Sequence, residues 1–132
     1  MARDDASEPA ARLIFVYNAD SGVWPWIEGM AQKLFAPERY PCSLCLLTYG
    51  RLMMYSDWRR FVFRLPLEKV FLHRDEAARK GLSAEWPAVL LDTGRGEPIV
   101  LVSAAELNAM QHRQALMALL LERLKETGVL AR

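Results

Sequence analysis

The residues of this chain best suited to chemistry are two cysteines, Cys42 and Cys45, which form a C-x-x-C motif. This spacing lets two sulfur atoms meet across one helical turn, and a helix is predicted over residues 43–49, after Pro41. The helix macrodipole and free backbone N–H groups would stabilise the thiolate of the first cysteine. The predicted chemistry is thiol–disulfide exchange, with Cys42 as the attacking thiolate and Cys45 as the resolving thiol.

Two other interpretations of the cysteine pair remain open. The pair lies in a leucine-rich turn, where Cys42 and Cys45 would also serve as small buried hydrophobic side chains. A zinc site needs four ligands, and the only two histidines, His73 and His112, lack the H-x(3–5)-H spacing of such sites. We therefore predict no metal site and no cofactor, and expect His73 at a strand end and His112 on a helix.

A second group of polar residues, Asn18, Asp20 and Ser21, comes at the end of the first predicted strand, which covers residues 12–18. Ligands of open α/β sheets bind beyond the carboxyl ends of the strands, so these side chains are candidates for binding a substrate or a partner. Asp20 and Ser21 also suit the capping of the next predicted helix, at residues 23–34.

The elements that must position these residues follow from periodicity and from turn and capping signals. The predicted strands cover residues 12–18, 69–73, 88–92 and 98–102. The predicted helices cover residues 23–34, 56–64, 74–80 and 104–126, and the cysteine-bearing turn lies between the first two helices, at 43–49. Ser56 is the expected cap of the helix at 56–64. Ser103 and Glu106 form a predicted capping box, and Gly128 follows the last helix.

Without the cysteine-bearing segment, this element order resembles that of the thioredoxin fold, βαβαββα. A cis-proline in that fold immediately precedes the first strand of the C-terminal hairpin, and Pro87 stands directly before residues 88–92. A preceding tryptophan, here Trp86, raises the frequency of a cis bond above the ~5% typical of X–Pro bonds. Trp86 and Pro87 are therefore further candidates for contact with a substrate or partner.

The cysteine pair stands later in this chain than in thioredoxins and glutaredoxins, where it directly follows the first strand. Residues 18–22 occupy that place here, and the cysteines come about twenty residues later. The predicted fold is therefore a single α/β domain, thioredoxin-like, with a CxxC-bearing insertion after the first helix.

Four segments also resemble a family of small uncharacterised bacterial proteins. They are VYNADSG at residues 16–22, YPCSLC at 40–45, LTYG at 47–50 and FLHRDE at 71–76, and the similarity extends to about residue 110. The resemblance supplies no established activity. It implies that the first-turn segment and the cysteine segment work as a unit.

Length and charge limit the remaining classes of function. The chain has 132 residues and a net charge of +1, which fits one domain at residues 12–132 after a flexible tail at 1–11. Balanced charge gives no support to nucleic-acid binding, and the apolar runs fall far short of the ~20 residues that span a bilayer. No membrane contact is predicted. Since no signal-peptide pattern is present, we expect a cytoplasmic location, where a cysteine pair is mostly reduced.

Two function hypotheses follow. The first is thiol–disulfide exchange or redox sensing through Cys42 and Cys45, with a protein or a small thiol as partner. The alternative is a non-enzymatic protein-binding module on a thioredoxin-like fold, in which the cysteines are structural. Large side chains crowd the insertion and its surroundings, and most of them would form a local core. Any that stay exposed would supply the interface with a partner protein or of a homodimer. These side chains are Trp24, Trp26, Tyr40, Tyr49, Met53, Met54, Tyr55 and Trp58.

Overall fold

A four-stranded mixed sheet lies at the centre of the molecule. The structure, a computed structural model, describes residues 11–18, 43–48 and 54–131. The strands are β1 (Arg12–Tyr17), β2 (Glu68–His73), β3 (Ala88–Asp92) and β4 (Ile99–Val102), in the spatial order β2-β1-β3-β4. β2 is parallel to β1, whereas β3 is antiparallel to β1 and β4 is antiparallel to β3.

One end of each of the four strands lies at the same edge of this sheet. Because of the strand directions, Tyr17, His73 and Val102 end their strands at the same edge at which Ala88 begins β3. We call it the carboxyl edge. Loops that leave this edge therefore lie close together in space, although they are far apart in the sequence.

β1 is covered on both faces, as its unbroken apolar run predicts. Its residues from Leu13 to Tyr17 are all buried. Side chains alternate along a strand, so Leu13, Phe15 and Tyr17 belong to one core cluster, while Ile14 and Val16 belong to another. The sheet therefore separates a larger core from a smaller one.

Helices pack on both faces of the sheet. They are α1 (Ser43–Thr48), α2 (Ser56–Arg64), α3 (Arg74–Arg79), α4 (Ala104–Ala109) and α5 (Arg113–Thr127), followed by a 3₁₀ helix at Val129–Ala131. The larger core receives residues from α1, α2, α4 and α5, whereas α3 contributes Ala77 to the smaller core. The described part of the molecule is thus a mixed α/β structure, which confirms the predicted class at that level.

Most local predictions within the described residues are confirmed. α2 has the predicted bounds, and β2, α3, β3 and β4 differ from their predicted ranges by one residue at most. The capping box is present, with Ser103 Oγ accepting from Glu106 N at 3.2 Å and Ser103 N donating to Glu106 Oε1 at 2.9 Å. Gly128 ends α5 at a φ of 84°. The helix predicted at residues 23–34 and the tail at 1–10 lie outside the described residues.

The single helix predicted at residues 104–126 is wrong. α4 ends at Ala109, and Met110 (φ −81°, ψ 143°) and His112 (φ −138°, ψ 140°) have extended backbones before α5 begins. One straight helix of that length would measure about 35 Å, against about 20 Å for a six-residue strand. Extended residues thus divide the predicted helix in two, and both pieces contribute side chains to the larger core.

Two smaller predictions also need correction. His112 was expected on a helix and instead immediately precedes α5, where it is exposed. Ser56 was expected to cap α2, but the residue at the cap position is Tyr55, and no side chain caps the helix. Asp57, in the first turn, accepts a hydrogen bond from Trp58 N at 2.8 Å.

Trp58 is a core residue, as expected for most of the large side chains near the cysteine segment. Its side chain is fully buried, and its ring meets Phe15 edge-on at a centroid distance of 5.7 Å. The centroid of the Phe61 ring lies 5.9 Å from the centroid of the Trp58 ring. The ring therefore fixes α2 on the larger core, although its buried Nε1 has no hydrogen-bond partner among the described residues.

Replacing Trp58 by alanine should lower the free energy of unfolding by about 3–5 kcal/mol, because a large buried ring leaves a cavity. Urea unfolding followed by circular dichroism measures the change. The matched control is Phe63→Ala on the same helix, where the side chain is 67% exposed. We expect that control to stay within about 0.5 kcal/mol of the parent. Equal losses in the two variants would contradict the assignment of Trp58 to the core.

Candidate functional site

Asn18 lies at the carboxyl edge, directly after β1. Its Oδ1 accepts a hydrogen bond from Arg74 Nη1 at 3.3 Å, and Arg74 is the first residue after β2. This bond connects the ends of the two parallel strands. Asp20 and Ser21, the other two polar candidates of this segment, lie outside the described residues.

His73 ends β2 at the same edge, and Glu76 holds it in place. Glu76 Oε1 accepts from His73 N at 2.7 Å and lies 2.9 Å from His73 Nδ1. The backbone N–H of His73 is the main cause that lowers the pKa of Glu76. The two residues form a capping box at the start of α3. Their H-x-x-E spacing matches that of Ser103 and Glu106, a signal from which this cap was predictable.

The peptide bond between Trp86 and Pro87 is cis, and Pro87 is buried directly before β3. Since Val16 pairs with Ala88, Pro87 is next to the end of β1. Trp86 packs, partly buried, against the smaller core. Asn18, which was a candidate because it follows the first strand, and Trp86 and Pro87, which were candidates because of the expected cis-proline, therefore lie at one edge of the sheet.

Cys45 belongs to α1, and α1 packs against α4. Leu44, Leu47 and Thr48 of this helix are buried, and Leu44 and Leu47 belong to the same core cluster as Tyr17. Thr48 Oγ1 donates to Leu44 O at 2.7 Å. Because α4 begins just after β4, at the carboxyl edge, α1 packs on a helix that starts at that edge. Cys42 lies outside the described residues.

Glu106 fixes the helix on which α1 packs. Arg123 of α5 donates to both carboxylate oxygens of Glu106, and its Nη1 also donates to Leu101 O of β4 at 2.7 Å. These bonds are the main cause that lowers the pKa of Glu106 from 4.5 to about 2. The Glu106–Arg123 pair thus joins β4, α4 and α5. The capping motif predicted the bond to Ser103, but no sequence signal predicted the contact with Arg123.

Two cavities of the described residues lie away from this edge. One, of about 520 Å³, is lined by Ala11, Glu68 and Thr93, at the opposite edge of the sheet. The other, of about 560 Å³, lies beside α2 and α5. The described residues contain no group of three or more histidine, cysteine or carboxylate side chains that would hold a metal ion.

Comparisons with known proteins return no match, whether with protein-family models, curated proteins or solved structures. Within residues 11–18, 43–48 and 54–131, no helix has the length and apolar character that crossing a membrane requires. The residues at the carboxyl edge are therefore the basis for inferring a function.

Glu106→Gln should make the protein less sensitive to acid. The lowered pKa of Glu106 means that its contribution to stability is complete above pH 4.5 and is lost as the pH falls towards about 2. The Glu106 and Arg123 side chains are about one-third exposed, so the loss at neutral pH should be only about 1 kcal/mol. Urea unfolding at several pH values between these limits measures the slope.

The control for this experiment is Glu97→Gln, which changes an exposed carboxylate in the β3–β4 turn. That variant should keep the slope of the parent. If Glu106→Gln also keeps the parental slope, Arg123 does not stabilise the ionised form of Glu106 in the way inferred above.

Proposed function

We propose that the chain is a thioredoxin-like protein in which Cys42 and Cys45 form a reversible redox pair near the carboxyl edge. The observation that carries the proposal is the packing of α1, which contains Cys45, against α4, which begins at the edge where Asn18 and Pro87 lie. The partner is a protein or a small thiol, and in the cytoplasm the pair would be mostly reduced.

The order and directions of the strands support the fold part of this proposal. The βαβαββα order joins two parallel strands through a helical connection and ends in an antiparallel hairpin and a helix. β1 and β2 are parallel, β3 and β4 form the hairpin, and α4 and α5 follow. The cis bond between Trp86 and Pro87 is at the position that the resemblance implies.

The proposed reaction exchanges two electrons. The thiolate of Cys42 attacks one sulfur of a disulfide in the partner, so a mixed disulfide forms and one partner thiolate leaves. The thiolate of Cys45 then attacks the sulfur of Cys42, which releases the second partner thiolate and leaves an intramolecular disulfide. The partner is reduced by two electrons and the cysteine pair is oxidised. Asn18, Asp20, Ser21, Trp86 and Pro87 are the proposed contacts of the partner.

Thiol titration across a series of glutathione potentials tests this reaction. Labelling with a maleimide should show both thiols of the parent disappearing in one two-electron transition, in which ~30 mV changes the equilibrium constant tenfold. Cys42→Ser and Cys45→Ser should each abolish that transition while keeping the circular dichroism spectrum. Thiols that never oxidise reversibly, or that react only after denaturation, would rule out the redox function.

The burial of α1 favours a second candidate function, in which the cysteine segment is structural. Leu44, Leu47 and Thr48 are part of the protein interior, so α1 has a role in packing whatever the chemistry of its cysteine. The chain would then be a non-enzymatic protein-binding module, and Tyr49 and Tyr55 would be among its contact residues. Tyr55 is 37% exposed and lies under the guanidinium group of Arg113, at 4.0 Å from ring centroid to Cζ.

Light scattering tests whether these aromatic residues join two copies of the chain. A homodimer should give twice the monomer mass of 15.1 kDa at high concentration, and Tyr49→Ala should shift the mass back towards the monomer. Cys42→Ser is the matched control and should leave the dimer intact. A monomer mass at every concentration would contradict self-association.

A further inference from the structure

The solvent-facing side of α2 carries three arginines around one exposed phenylalanine. Arg59, Arg60, Phe63 and Arg64 are all exposed, and Phe63 keeps 67% of its surface accessible. Positions i, i+1, i+4 and i+5 share one side of a helix, so these four residues form a continuous surface, here named the arginine face. The opposite side of α2 carries Trp58 and Val62 into the core.

The arginine face has no acidic counterpart within the described protein. No carboxylate oxygen of the described residues lies within 4.0 Å of the guanidinium groups of Arg59, Arg60 or Arg64. Asp57, the acidic residue of α2, is engaged elsewhere, since its Oδ1 accepts from Arg113 Nε at 2.8 Å. That bond is also the main cause that lowers the pKa of Asp57. The face is thus a local concentration of positive charge in a chain of net charge +1.

A groove beside this face supplies an apolar surface next to the charges. Its volume is about 560 Å³, and Arg60 and Arg64 line it together with apolar residues such as Phe61 and Leu121. Asp57 also lines the groove, where its carboxylate is paired with Arg113. A groove of this size accepts one or two bulky side chains. Guanidinium groups bind carboxylates through paired hydrogen bonds, so the groove and its arginines suit a ligand that is anionic and apolar at neighbouring positions.

We propose that the arginine face and its groove form a docking site for an acidic segment of a partner protein, in which carboxylates alternate with bulky apolar side chains. Charge complementarity with Arg59, Arg60 and Arg64 selects the carboxylates, and the groove takes an apolar side chain. A small anion in the groove would leave Phe63 and Arg59 uncovered, whereas a peptide segment covers both. The largely apolar lining and the one exposed aromatic ring of this face, Phe63, fit a peptide better than the stacked bases and phosphates of a nucleic acid.

Fluorescence anisotropy with a labelled peptide that alternates glutamate with leucine or phenylalanine tests this site. We expect binding that weakens as salt rises from low to physiological concentration. Arg60→Glu should weaken it about tenfold or more, because a carboxylate then faces the peptide carboxylates. Phe63→Ala should weaken it about fivefold through lost apolar contact. Both positions are exposed, so unfolding curves should match that of the parent.

The matched control is Lys80→Glu, the same reversal of charge at an exposed position after α3, which packs against the other face of the sheet. It should change binding by about twofold at most. The proposal is overturned if Arg60→Glu and Lys80→Glu weaken binding equally, or if the peptide does not bind. It is also overturned if a thymidine oligonucleotide or vesicles of anionic phospholipid bind more tightly than the peptide. Since no cysteine takes part, each of these results is separate from the outcome of the thiol titration.

Discussion

The burial of β1 on both faces is the constraint on which the rest of the structure depends. The five residues from Leu13 to Tyr17 are apolar and leave no face of the strand that water can cover. One layer of helices cannot bury such a strand, so α3 must cover one side while α1, α2, α4 and α5 share the other. A strand of this kind also needs neighbours on both sides, which β2 and β3 supply. The central position of β1 and the two layers of helices therefore follow from the composition of one six-residue segment.

Side-chain hydrogen bonds and ion pairs then hold the loops and helices that surround the carboxyl edge. Glu76 holds the start of α3 through His73, and Arg74 joins that start to Asn18. Glu106 holds the start of α4 through Ser103, and it also bonds to Arg123 of α5. All of these bonds are partly exposed, so each contributes modestly to stability. Their main effect is geometric, because α4 is the helix on which α1 packs.

The parts of this fold that could be predicted from sequence are those with short-range causes. Apolar runs marked the strands, and the Ser103–Glu106 spacing marked the start of α4. The pairing of Glu106 with Arg123 spans 17 positions, and no local pattern indicates it. The break after α4 was missed for a similar reason, since residues 109–112 contain neither glycine nor proline.

The net charge shows that functional surfaces, too, depend on contacts that the sequence does not reveal. The charges of seventeen basic and sixteen acidic side chains nearly cancel, and the small net charge argues against a surface for nucleic acid. The net charge, however, conceals how the charges are distributed. Asp57 stands two residues before the first arginine of α2, yet it bonds to Arg113 of another helix, which leaves the arginine face without a carboxylate of its own. Electrostatic attraction between proteins depends on such local fields, so a nearly neutral chain retains a surface that selects acidic partners.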